Sequence, residues 1–174
     1  KPKRPSDRPR CENMRASGLR LYRPLGSEAP RVAASAYHTD VRWTGGHLGE
    51  LKCGNGPTLA FSAPPDAQGL EGVLTLEDAF VGAVNMCVML MFIWACERLR
   101  LDLVGYECHA EGTKVVALDR TETFERVVLR PRVVVRGADR KRLERALEWA
   151  RKYSLVANSI TSSFSMEPEI VMQP

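Results

Sequence analysis

Polar and apolar residues alternate over His38–Gly45, where Val41 and Trp43 share one side, and again over Leu48–Cys53 through Leu51. A period of two predicts half-buried strands, and Gly45-Gly46 and Gly54-Asn55-Gly56 supply the turn residues that hairpins need. Thr58–Ser62 predicts a third short strand, and Ala63–Gly72 a Pro/Gly loop. The period then changes. Phe80–Cys96 is a 17-residue apolar run interrupted by Asn85, inside a helix predicted from Thr75 to about Arg100. Thr75 is placed to cap it, Asp78 to reach back as in a capping box, and Glu77 and Asp78 sit where the helix dipole favours acids. Strands are predicted at Leu103–Ala110, Lys114–Leu118 and Phe124–Val135. Asp139 then caps a second helix with Leu143, Ala146, Leu147 and Ala150 on one face, and a last strand follows around Phe164–Met172. Strands, apolar helix, strands, amphipathic helix, strand is an α+β order, and no internal repeat is apparent.

The 17-residue run is flanked by Glu77–Asp78 and Glu97–Arg98 and falls short of the ~20 apolar residues of a membrane span. With a mean hydropathy of −0.23 for the whole chain, a buried core helix is expected and a membrane is not. A chain of 174 residues has too little other apolar surface to cover a helix that is apolar on every side. A homodimer, with that helix packed against its symmetry mate, is the economical solution.

Charge separates the chain into two parts. Residues 1–32 carry nine basic and three acidic residues, and five of the eleven prolines. The other 142 residues carry sixteen basic and eighteen acidic ones, so the overall +4 belongs to a basic arm and the body is mildly negative. A nucleic-acid partner is therefore not expected. The expected organisation is a flexible Pro/Arg-rich arm over 1–36 and one domain over 37–174. Five scattered cysteines without a CxxC pair suit a reducing compartment, and no apolar segment follows the basic N-terminus as a signal peptide requires, so a cytoplasmic protein is expected.

His38, His47 and His109 lack metal-ligand spacing, there is no phosphate loop or nucleophile elbow, and neither metal nor cofactor is expected. Cys87 stands out by context. It lies inside the capped helix ten residues, or 2.8 turns, beyond Glu77, which sets both toward one side. A buried cysteine is usually a small hydrophobe; one near an organising charge can be a nucleophile.

Three strings then carry a resemblance. LEDAFVGAVNMC (76–87) resembles the segment bearing the reactive cysteine of the OsmC/Ohr family, which in many members reads P-E-[EQ]-L-[FI]-x-A-A-x-x-x-C. RALEWARKYSLVANS (145–159) resembles the family's second motif, an amphipathic helix running into H-C-[LP]-[VI]-S-[NQ], and TGGHLGEL (44–51) its T-G-G-R-x-G opening. The resemblance implies an OsmC-like fold, with antiparallel sheets around a long buried Cys-bearing helix in an intertwined homodimer. It also implies thiol-dependent reduction of organic hydroperoxides, with Cys87 as the peroxidatic cysteine and Glu77 as the glutamate that holds an activating arginine. Two positions depart from the pattern. Ser154 occupies the place of the resolving cysteine, and His47, a candidate for thiolate support, that of the arginine. The expected function is hydroperoxide reduction through Cys87 with an external thiol. The alternative is a peroxidase-inactive dimer that binds a small molecule or senses redox state.

Overall fold

The computed structural model describes residues 33–137 and 139–174. The basic arm expected over 1–36 thus lies outside the described residues apart from its last four. Tyr37–Pro174 forms a single compact unit.

Two four-stranded sheets and two helices make up this unit. The first sheet contains β1 (Thr39–Gly45), β2 (Leu48–Cys53), β3 (Thr58–Ser62) and β4 (Leu74–Thr75). β1–β2 and β2–β3 are antiparallel, and the short β4 adds in parallel to β3. Gly45 and Gly46, at φ +128° and +53°, make the turn that aligns Val41 with Leu51 and Trp43 with Gly49. β4 runs straight into α1 (Leu76–Leu99), a helix about 36 Å long at 1.5 Å per residue. The second sheet has β5 (Asp102–Val116) and β6 (Glu122–Arg136) as a long antiparallel hairpin. After α2 (Arg140–Tyr153), β7 (Ser163–Met166) and β8 (Glu169–Gln173) pair in parallel with the two halves of β6.

Two details depart from the sequence expectation. The two strands expected between Leu103 and Leu118 are one continuous β5, because Gly112 continues the strand beneath α1. A Cβ there would meet a Val81 methyl at 2.5 Å and a Phe124 ring carbon at 2.9 Å. The single expected last strand is two, separated by Glu167-Pro168. Pro131, inside β6, would be out of place in a fully paired central strand for want of an N–H. It sits between the residues that pair with β7, which end at Leu129, and those that pair with β8, which begin at Arg132.

The core lies between α1, α2 and the inner face of the second sheet. Val84, Val88, Phe92 and Ala95 of α1 meet Val127, Leu129, Val133 and Val135 of β6, and Leu143, Ala146, Leu147 and Ala150 of α2. The four apolar positions expected on α2 are all buried. α1 is different. It is long and apolar enough to cross a bilayer by length and composition, with mean hydropathy 2.1 in its most apolar window, yet only 28% of that window is buried within the chain. Its buried residues form one face, while Met86 and Leu90 are 59% and 56% exposed. The first sheet likewise leaves Trp43 and Val41 74% and 66% exposed.

Asp78 uses its side chain differently from a capping box. The Thr75 hydroxyl accepts from the Asp78 amide at 3.1 Å and donates to the Asp78 carboxylate at 2.7 Å, so the two side chains close on each other. Thr75→Ala is expected to cost about 1 kcal/mol in denaturant unfolding, and Thr75→Ser to restore most of it.

Candidate functional site

Phe80, Cys87 and Trp94 are spaced by seven residues, so they form a strip along α1 that drifts by only ~20° per step. Cys87 is half-buried and its thiol is free. The two ends of the strip show what passes over it. Trp94 packs on Trp149 and Tyr153 of α2, with centroids 5.8 and 5.5 Å away. Phe80 stacks on Phe124 at 4.6 Å, and with Ile160, Glu122, Thr123, Ser159, Thr161 and Ser162 it encloses a pocket of about 340 Å³. The connection after Tyr153 therefore runs from the level of Trp94 to the level of Phe80, past Cys87. Its single helical turn, Ala157–Ser159, also lies against α1.

Ser154 opens this connection and is fully buried. Its hydroxyl accepts from the Ala157 amide at 3.3 Å and its carbonyl from the Asn158 amide at 3.0 Å, while Asn158 Nδ2 donates to the Lys152 carbonyl at 2.9 Å. At the end of α2, Ser154 is thus a cap for the turn that follows it.

Glu77 and Cys87 are not brought into contact. Ten residues separate them by ~15 Å along the axis and, at 100° per residue, by about 80° around it, so any coupling needs a further group between them. Glu77 Oε2 is buried and without a hydrogen-bond donor. Lys114 feels its charge: that ammonium is held above its usual range first by Glu122, 2.8 Å away, and then more weakly by Asp66 and Glu77.

His47 is exposed in the β1–β2 turn. Its carbonyl accepts from the Ala63 amide at 3.0 Å, and the next residue, Leu48, lies opposite Ser62, itself opposite Thr75. At ~4.8 Å per strand, His47 stands about 10 Å from the start of α1. It therefore shares the Glu77 end of the helix, whereas Cys87 is ~18 Å beyond Thr75 along the axis.

The other described cysteines are also distant from Cys87. Cys96 is nine residues further along the helix, ~13 Å away, and buried, which pushes its thiol up to about 11, with the charge of Glu97 adding to the effect. Cys53 ends β2, opposite Thr39 at the far end of the hairpin from the helix. Cys108 of β5 packs on the other side of α1. Asn85 Nδ2 donates to its carbonyl at 3.3 Å, and Asn85 and Met89 share a recess with it. Each of those two is two residues, or 200°, from Cys87. Cys96 is beyond the separation a disulfide with Cys87 requires, and all four described thiols are free. Cys11 lies outside the described residues.

The recess was not evident in the sequence, where Asn85 is only an interruption of an apolar run. Its signal was the alternation of β5, which sets Tyr106 and Cys108 on one face and His109 on the other. Among the described residues, no three His, Cys, Asp or Glu side chains are grouped to hold a metal ion.

The OsmC-like protein family model matches residues 74–169, more than half of the chain and all of α1, α2, β5, β6 and β7. The chain belongs to the OsmC-like family. No curated protein matches its sequence. Among solved structures, an OsmC-like protein of unknown function from Vibrio cholerae superposes with a TM-score of 0.71 at 24% identity, covering 78% of this chain and 99% of the other. An OsmC-like protein from Mycoplasma pneumoniae gives 0.70 at 8% identity, covering 80% and 99%. An organic hydroperoxide resistance protein from Legionella pneumophila gives 0.59 at 14% identity, covering 79% and 99%. At these identities the likeness is one of fold, and it agrees with the α+β, OsmC-like architecture expected from the sequence.

Proposed function

We propose that this OsmC-like protein is a homodimeric thiol peroxidase that reduces organic hydroperoxides through Cys87 and is returned to its starting state by an external thiol. The observation that carries the reading is the isolation of Cys87. It is a half-buried free thiol about two helical turns along α1 from Phe80, which with Phe124 and Ile160 floors a pocket, and it is bonded to none of the other described cysteines of the protomer. The name of the Legionella relative, an organic hydroperoxide resistance protein, supports the substrate class. In the reaction the Cys87 thiolate attacks one peroxide oxygen. An S–O bond forms, the O–O bond breaks, and the alkoxide leaves as an alcohol with a proton from solvent. The resulting sulfenic acid condenses with one external thiol to give a mixed disulfide and water. A second external thiol then releases Cys87 and leaves as a disulfide.

Two features support the dimer. Glu77 has a buried oxygen without a donor, which is costly unless something supplies one. The exposed side of α1 and the first sheet, around Leu90 and Trp43, also present apolar surface that a second copy would cover. Thiolate support by His47 would then be given across the interface. In this reading the protein is cytoplasmic and binds neither membrane nor nucleic acid. Leu90→Arg is expected to halve the solution mass in light scattering. A wild type that is monomeric at micromolar concentration would refute the dimer.

A second reading keeps the dimer without turnover, using the 340 Å³ pocket to bind a small apolar molecule or Cys87 to sense peroxide. The deciding measurement is consumption of cumene hydroperoxide with excess dithiol. Saturable turnover is expected; a stoichiometric, slow reaction of Cys87 alone would favour the second reading.

A further inference from the structure

Cys108, Met86 and Met89 line a single recess of about 130 Å³ together with Tyr106 and Asn85; on α1, Asn85 and Met89 lie about 200° around from Cys87 and Met86 about 100°. The recess brings one thiol and two thioethers, all soft donors, to one place. The Asn85–Cys108 hydrogen bond fixes the helix to the strand at its edge. The Tyr106 hydroxyl is buried and no group satisfies it, and its residue shares the recess with the Cys108 thiol. In the free protein that thiol donates to the His109 carbonyl at 3.5 Å instead.

We propose that this recess is a binding site for a soft monovalent cation, copper(I), with the Cys108 sulfur as anionic ligand and the Met86 and Met89 sulfurs completing a three-sulfur set. Thiolate and thioether donors are those that select copper(I) over harder divalent ions. Charge favours the same choice. One thiolate and one monovalent cation leave a partly buried recess neutral, whereas a divalent ion would leave an uncompensated charge there. In the free protein the Cys108 thiol is a hydrogen-bond donor, so it enters the site protonated. Binding then breaks the S–H bond, forms the S–Cu bond, releases the proton to solvent, and changes no oxidation state. The new thiolate is an acceptor, and Tyr106 is the donor placed to bond to it. That contact would satisfy the orphaned hydroxyl and hold the ligand in place.

The site shares no residue with the proposed peroxidase chemistry. Anaerobic titration of the full chain with copper(I), in competition with a chromophoric copper(I) chelator, tests it. One equivalent per protomer is expected, retained in Cys87→Ser, lost in Cys108→Ser and weakened about tenfold in Tyr106→Phe. Met89→Leu, which nearly conserves volume, separates ligation from packing. It is expected to weaken copper(I) binding while leaving the unfolding midpoint close to wild type, and it decides the matter should Cys108→Ser not fold. X-ray absorption of the loaded protein is expected to show sulfur neighbours only. Copper(I) affinity unchanged in both Cys108→Ser and Met89→Leu, or lost in Cys87→Ser, would overturn the proposal, as would tighter binding of zinc(II) at the same site.

Discussion

Cys87→Ser protein is expected to consume organic hydroperoxide no faster than the dithiol alone, with its fold and solution mass unchanged. A hydroxyl is a far weaker nucleophile than a thiolate at neutral pH. Serine is also nearly isosteric, so the substitution removes chemistry rather than packing. Cys53→Ser, Cys96→Ser and Cys108→Ser are expected to retain turnover, because none of them is bonded to Cys87 within the protomer. The discriminating measurement is peroxide loss with a fixed dithiol, read alongside mass spectrometry of Cys87. Wild type trapped during turnover should carry one oxygen or one added thiol on that residue. Retention of activity in Cys87→Ser would remove the peroxidase reading altogether.

Phe92→Ala is expected to have the largest effect on stability. Phe92 is fully buried at the centre of α1, meets Tyr106 at 5.6 Å between ring centroids, and belongs to the core shared by both helices and β6. Truncating it loses transfer free energy and leaves a cavity that a long helix pinned between a sheet and α2 cannot collapse to fill. The cost is about 3–5 kcal/mol, roughly a fifth or more of what a typical domain has. For a domain of this size the melting temperature should fall on the order of 10 °C. Phe92→Leu should recover more than half of the loss in urea denaturation, since most of the volume returns.

Much of this architecture was legible because local chemistry and tertiary position agree. The first hairpin follows from alternation together with two glycines that the turn needs in left-handed conformations. α2 follows from four apolar residues at helical spacing behind an aspartate cap whose side chain accepts from the Lys141 amide at 3.1 Å. α1 was legible as a helix, but its partners were not. An all-round apolar composition does not say which face meets the chain's own sheet. The continuity of β5 and the division of the last strand were misjudged for a related reason. Gly112 resembles a break until Val81 is seen pressing on it, and Pro168 is a strand breaker whose effect is visible only once β6 is known to pair with both flanking segments. At the site, Cys87 was singled out by its place in a capped helix and by family resemblance. The expectation that Glu77 stands near it came from counting turns, and the axial rise puts ~15 Å between them. The recess around Cys108 had only half of its signature locally, in the alternation of β5, since its other donors come from a helix about 20 residues away.

The β6–α2–β7 connection imposes an order of events on folding. β5 and β6 are joined by a tight turn, in which the Ala117 amide donates to the Thr121 carbonyl at 2.9 Å, so they can pair on a timescale of microseconds. β7 and β8 must instead return in parallel after a helical crossover, and β8 pairs Arg132 with Glu169, 37 positions later. Such distant pairing carries loop-closure entropy before it gains any contact, which makes it the slow step. Until the last strand docks, the Arg132–Arg136 segment of β6 has an open edge. During synthesis β8 emerges after every other strand of its sheet, so the sheet closes only once that segment has been made.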